Sequence, residues 1–166
     1  VGPDGRCIGL LHRAETLAAV SGRLLQHLDA LGGDDAAVKR AQAGVATALL
    51  DEGVPARDLV GLVSGINIDL HRRVLDRVLA AHGTPPVPFT LLVMGSAGRG
   101  ESLLRPDQDN GFILADYPDD EHARIDAWFR PFAAAFNAAL AEAGFPLCPG
   151  GIMAMNPLWR KTLPQW

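Results

Sequence analysis

Phe89-Thr-Leu-Leu-Val-Met94-Gly95-Ser96-Ala97-Gly98-Arg99-Gly100-Glu101, continued by Asp107-Gln108-Asp109-Asn110-Gly111-Phe112-Ile113-Leu114, is the stretch that decides the fold. The apolar run from Phe89 to Met94 predicts a strand, and Gly95-Ser96 predicts a turn that leaves it. Phe112-Ile113-Leu114 predicts a second strand. A strand shows one face to every second residue, so Asp107 and Asp109 point the same way. Gln108 and Asn110 then face the opposite side, where Asn110 would tie the strand to a neighbour. Two carboxylates on one face, beside a glycine-rich turn with free backbone N–H groups, can hold Mg²⁺ and a polyphosphate together.

Each half of this pattern is ordinary alone. Gly-Ser is common turn chemistry, and a solvated Asp-x-Asp is common in loops. Their combination is more specific, because the turn leaves a strand and stands twelve residues ahead of Asp107. Glycine lets the backbone approach a phosphate closely, the Ser96 hydroxyl can bond a phosphate oxygen, and Gly98 and Gly100 keep the loop open. The segment is neither a Walker loop nor Gly-x-Gly-x-x-Gly. Arg99 and Glu101 have two readings. Arg99 lies against phosphate oxygens with Glu101 orienting it or a metal-bound water, or the two form an exposed ion pair of little energetic value.

Gly95-Ser96, a gap from Ala97 to Pro106, and Asp107-x-Asp109 resemble the nucleotidyltransferase superfamily that includes DNA polymerase β. The fuller string with Arg99-x-Glu101 is most similar to the branch holding the uridylyltransferase of the signal protein PII and the nucleotidyltransferase-like proteins that accompany CBS domains in bacterial signalling. Asp107-Gln-Asp-Asn110 and Cys148-Pro-Gly-Gly-Ile-Met-Ala-Met-Asn156-Pro-Leu-Trp159 resemble the CBS-associated group. The resemblance implies transfer of a nucleoside monophosphate from an NTP to a hydroxyl of a protein or small molecule. It also implies two Mg²⁺ ions in the full-length protein, with Asp107 and Asp109 as metal-binding and catalytic residues. Gly95, Ser96, Arg99 and Glu101 would contact the nucleotide, and CBS domains would lie in cis. A non-catalytic nucleotide-sensing or scaffold module is the alternative. The Gly150-Gly151 and Asn156 segment would form a wall of the pocket or a packed connector pinned by Trp159.

Superfamily members resembling this chain complete the second metal site with a third carboxylate on a later strand. Asp116, Asp119, Asp120, Glu121, Asp126 and Glu142 do not fit that position. The expectation is an aspartate downstream of Trp166, so that 1–166 alone is catalytically incomplete. The opening at Val1 also reads as a cut from something longer.

With 166 residues, 48% of them hydrophobic, the chain can bury one good core or a small core with a helical layer. Its net charge of −4 and its scattered arginines offer no basic run for broad capture of nucleic acid. No apolar run approaches the ~18 residues of a membrane span. Cys7 and Cys148 have no metal or redox spacing and read as free thiols in a reducing cytoplasm. His12, His27, His71, His82 and His122 show no ligand spacing either and are expected at the surface or on helix faces.

Working outward, Leu10, Ala14, Leu17, Ser21, Leu24, Leu28 and Leu31 form the stripe of one helix, ended by Gly32-Gly33. Asp34 or Asp35 can cap a second helix through about Glu52, with Val38, Ala41, Val45, Ala48 and Leu49 inward. Pro55 suits the first turn of a third, through about Ala81, with Leu59, Leu62, Val63, Ile66, Leu70, Val74 and Val78 inward and Gly61 and Gly65 offering close packing. Short turns between these helices suggest a bundle. Gly83 to Pro88 is a stiff linker. A long helix is expected from about Asp120 to Ala143, with Ile125, Phe129, Phe132, Phe136 and Leu140 buried and a kink or restart at Pro131. The last twenty residues read as irregular. The fold expected is α/β (α+β): a helical region at 1–86, with a CBS-like remnant at 1–11, and a nucleotidyltransferase-like mixed sheet with helices at 87–166, truncated at its C-terminus.

Overall fold

A computed structural model describes residues 35–166. The predicted helix over Leu10–Leu31 and the CBS-like opening at 1–11 lie outside the described residues. Helix α1 spans Asp35–Asp51 and α2 spans Ala56–His82, separated by a tight turn in which Gly53 takes φ 81°. Strand β1 (Phe89–Val93) leads into the one-turn helix α3 (Gly95–Gly98), and strand β2 spans Asn110–Leu114. Helix α4 covers His122–Glu142, and a short strand β3, Arg160–Thr162, sits between two 3₁₀ turns.

The three strands form one mixed sheet with β2 in the centre. β1 pairs antiparallel to β2, with Val93 opposite Asn110, and β3 pairs parallel to it, with Phe112 opposite Arg160. Asn110, Phe112 and Leu114 point from β2 into the core, as the two-residue period requires. At Gly111 the other face is crowded: a Cβ there would lie 2.6 Å from the Trp159 carbonyl oxygen and 3.3 Å from the Trp166 ring. The C-terminal segment therefore lies directly against the sheet.

Phe112 packs against Phe89, Phe129, Phe132 and Phe136 with ring centroids 5.0–6.4 Å apart. Helix α2 carries the core onward. All seven of its predicted inward residues, Leu59 to Val78, are buried, and all but Val63 join the phenylalanines of α4 in one continuous cluster. The end of α2 clasps α4 through His82, whose ring stands edge-on to Trp128 at 4.8 Å.

The structure corrects several expectations. Helix α1 buries Asp35, Val38, Lys39, Gln42 and Ala46, while Ala41 and Ala48 are exposed. Its inward face is polar because it meets polar groups on α2. Asp35 pairs with Arg73 and Arg77 of α2. A Cβ at Gly61 or Gly65 would meet nothing within 4 Å, so neither glycine serves close packing among the described residues. Helix α4 runs unbroken through Pro131, an exposed position, with no restart. Of the two placements expected for the histidines, His71 takes the helix face, on the buried side of α2. The final twenty residues hold β3, which the sequence reading treated as irregular. Among the described residues, no helix is long and apolar enough to cross a membrane.

Candidate active site

The site stands where β1 ends and β2 begins. The ladder between them continues past the strands: the Met94 N–H donates to the Asp109 carbonyl at 2.8 Å. The Asp109 carboxylate then lies against the Gly95 backbone. Gly95 has φ 59°, and a Cβ there would fall 2.0 Å from Asp109 Oδ2. Only glycine both takes this left-handed conformation without strain and leaves room for the carboxylate. Gly98 is needed for a different reason, since its Cβ would sit 2.5 Å from the Val93 carbonyl oxygen.

The alternation read from the sequence holds through the motif. Gln108 and Asn110 are fully buried, whereas Asp107 is exposed and Asp109 half-buried. Gln108 Nε2 donates to the carbonyls of Asn137 and Phe145, at 2.9 and 2.8 Å. Asn137, on α4, donates in return to Gln108 Oε1 at 2.8 Å and to Asn110 Oδ1 at 2.9 Å, and accepts from the Met155 N–H at 2.8 Å. Buried polar groups held this way fix the backbone of the motif. Asn137 was missed by the sequence reading; its position on the buried face, between Phe136 and Leu140, is the signal that could have found it.

A second buried network anchors the loop between the turn and the aspartates. Lys39 Nζ donates to Gln42 Oε1 at 2.9 Å and to Asn67 Oδ1, and lies 4.4 Å from the Phe145 ring centroid. Asn67 Nδ2 donates to Ser102 Oγ at 2.8 Å, and the Ser102 N–H donates to Ser64 Oγ at 2.7 Å. Burial lowers the Lys39 ammonium to about 8. Burial also lowers the His71 imidazole; its hydrogen bond to the Asn67 carbonyl opposes this, and the Lys39 charge adds to it. His71 Nδ1 lies 2.8 Å from that carbonyl oxygen, which can only accept, so Nδ1 carries the proton.

The remaining site candidates divide. Ser96 is half-buried on the α3 turn, and its carbonyl accepts from the Glu101 N–H at 2.8 Å. Arg99 Nε donates to Glu101 Oε2 at 2.8 Å, and both side chains are well exposed. Gly151, at φ 68°, and Asn156 form a connector: Asn156 Nδ2 donates to the Gly151 carbonyl at 3.0 Å and Asn156 Oδ1 accepts from the Leu158 N–H at 3.1 Å.

One residue joins the aspartates unannounced. Ligating atoms of Asp107, Asp109 and Cys148 all lie within 4.8 Å of one another. The cysteine stands 39 positions beyond Asp109, too far for any spacing rule, and only its place in the Cys148-Pro-Gly-Gly motif marked it. Asp107, Asp109 and the room that Gly95 leaves for a carboxylate make a donor set that fits a divalent cation.

The family described as "Putative nucleotidyltransferase DUF294" matches residues 40–166, the greater part of the chain. The chain belongs to this family. No curated protein and no solved structure matches it. The nucleotidyltransferase match spans α1 beyond Arg40, all of α2, the sheet and α4, so it takes in the helices that support the motif as well as the motif itself.

Proposed function

We propose that the protein transfers a nucleoside monophosphate from an NTP to a hydroxyl of a protein or small molecule, with Mg²⁺ as cofactor, in bacterial signalling. The single observation that carries this reading is the pair Asp107 and Asp109, their carboxylates close together just ahead of β2 with Asp109 against Gly95 of the turn, in a chain of a nucleotidyltransferase family. Asp107 and Asp109 would hold the cation. When bound, the cation supplies charge neutralisation for the triphosphate and for the leaving pyrophosphate.

The chain's own residues do the positioning. The α3 turn presents backbone N–H groups and the Ser96 hydroxyl to phosphate oxygens, and Arg99 offers a guanidinium whose present partner, Glu101, is an exposed and readily exchanged one. In the transfer, the acceptor oxygen bonds to the α-phosphorus, the α–β bridging bond breaks, and the hydroxyl proton is lost to solvent. The resemblance to the PII uridylyltransferase makes UTP the first donor to try, and the resemblance to CBS-associated proteins supports regulation by CBS domains in cis.

The test is a thermal-shift panel of the four NTPs with and without Mg²⁺, followed by a pyrophosphate-release assay. The expected result is stabilisation by one or more NTPs only when Mg²⁺ is present. Stabilisation without pyrophosphate release, with candidate acceptors supplied, would instead favour a nucleotide-sensing module. No stabilisation by any NTP would contradict both.

A further inference from the structure

The mixed character of the ligating cluster carries an inference beyond nucleotide transfer. Cys148 is more than nine-tenths buried, yet its thiol faces the two carboxylates and makes no hydrogen bond of its own among the described residues. Its placement is imposed from both sides. The Gln108 N–H donates to the Pro146 carbonyl at 2.9 Å and the Asn110 N–H donates to the Ile152 carbonyl at 3.1 Å, so the loop around Cys148 is stitched to the backbone around Asp109. Within the loop, the Gly151 N–H donates to the Cys148 carbonyl at 3.0 Å, and the Cys148 N–H donates to Met153 Sδ at 3.4 Å. A buried thiol packed for its bulk alone would point into the apolar core. This one has its Sγ within 4.8 Å of a carboxylate oxygen of each aspartate.

We propose that Cys148 is a direct ligand of the cation held by Asp107 and Asp109, making the centre a two-carboxylate, one-thiolate site. This rests on the reading of the two aspartates as cation ligands. Carboxylates alone select hard cations such as Mg²⁺, whereas a thiolate raises affinity for softer ones, including Co²⁺, Zn²⁺ and Cd²⁺. Coordination forms a metal–sulfur bond in place of a metal–water bond and releases the thiol proton to solvent. No oxidation or reduction is involved. The thiolate would therefore add affinity for borderline transition cations to a centre whose two carboxylates bind Mg²⁺.

The experiment is a titration of the whole protein with Co²⁺, read by near-ultraviolet absorption, and with Mg²⁺, read by calorimetry. A thiolate-to-cobalt charge-transfer band is expected, saturating at one equivalent. Cys148→Ser should abolish the band and weaken Co²⁺ binding by a larger factor than it weakens Mg²⁺ binding, because it exchanges the soft ligand for an oxygen. Cys7→Ser should keep the band. Cadmium NMR of the unsubstituted protein needs no variant and should give a resonance in the range of sulfur-bound cadmium. Mg²⁺ binding that depends on the aspartates, with no cobalt–thiolate band and an all-oxygen cadmium resonance, would overturn this proposal and leave the nucleotidyltransferase reading standing. Failure of every cation to bind would overturn both.

Discussion

Gly95 is where backbone conformation and chemistry meet at a single residue. An alanine there pays for the left-handed backbone, roughly 1–2 kcal/mol, and also drives a methyl into Asp109. Gly100, at φ 70°, has nothing within 4 Å of its would-be Cβ and pays only the first cost. Gly95→Ala and Gly100→Ala should therefore lose similar stability from backbone strain, but only Gly95→Ala should lose most of its divalent-cation affinity. Equal cation affinity in the two variants, measured by calorimetry, would show that Gly95 does not set the Asp109 carboxylate. Lys39 makes a pH-dependent prediction. Its ammonium titrates near 8 when folded and near 10.5 when unfolded. Between these values the unfolded chain binds more protons, so stability rises with pH across that window and the contribution is lost as pH falls through about 8. Lys39→Met should flatten this rise in denaturation curves taken from pH 7 to 10; an unchanged pH slope would contradict the assignment. Gly95 was legible in the sequence, because Gly-Ser after an apolar run names a turn. Lys39 was not. Binary patterning sends lysine outward, and nothing local announces that Gln42 and Asn67 wait to receive it.

Among the elements, α4 does more than cover the sheet. Its Asn137 holds Gln108, Asn110 and the Met155 N–H together, so one helix position aligns the motif strand and the loop that bears Cys148. Asn137→Ala would leave the fully buried Gln108 Oε1 and the part-buried Met155 N–H without this partner, while Asn110 Oδ1 keeps the Ala154 N–H. Unsatisfied groups of this kind cost about 1–3 kcal/mol each, so a loss of roughly 2–4 kcal/mol is expected in urea denaturation, together with weaker cation binding at a site that Asn137 never touches. A loss below about 0.5 kcal/mol would show that water or neighbours replace the network. Helices α2 and α4 were legible from their apolar spacing, and β1 and β2 from short apolar runs between turn residues. Strand β3 was hidden. Arg160-Lys161-Thr162 has no apolar alternation, and its identity as a strand comes only from pairing with β2 across a long parallel connection. The α1 face was misjudged for a related reason: Asp35 and Gln42 are buried against partners on α2 that no local pattern reveals.

For the whole molecule, α2 belongs to the same core as the sheet and α4. Leu70 and Val74 are completely buried in one cluster with Phe112, Phe129 and Phe132. Removing residues 1–86 would expose that face of α4, where each large apolar side chain contributes about 1.5–3 kcal/mol by burial. A chain beginning at Val87 should be poorly soluble or partly unfolded; a cooperative melt and a well-dispersed NMR spectrum from it would contradict a shared core. The division at 86 read from the proline-rich linker marks a change of element type, but hydrophobic packing crosses it. A linker is visible in composition, whereas the fit between two apolar faces is not. The nucleotidyltransferase function requires that Asp107 and Asp109 bind a cation together with a nucleoside triphosphate. Calorimetric titration of the NTP that gives the largest thermal shift, with and without Mg²⁺, into the protein and into its Asp107→Asn/Asp109→Asn variant tests this most directly. The prediction is Mg²⁺-dependent binding that disappears in the variant while its fold, checked by circular dichroism and melting, is retained. Unchanged Mg²⁺-dependent affinity in the folded variant would contradict it.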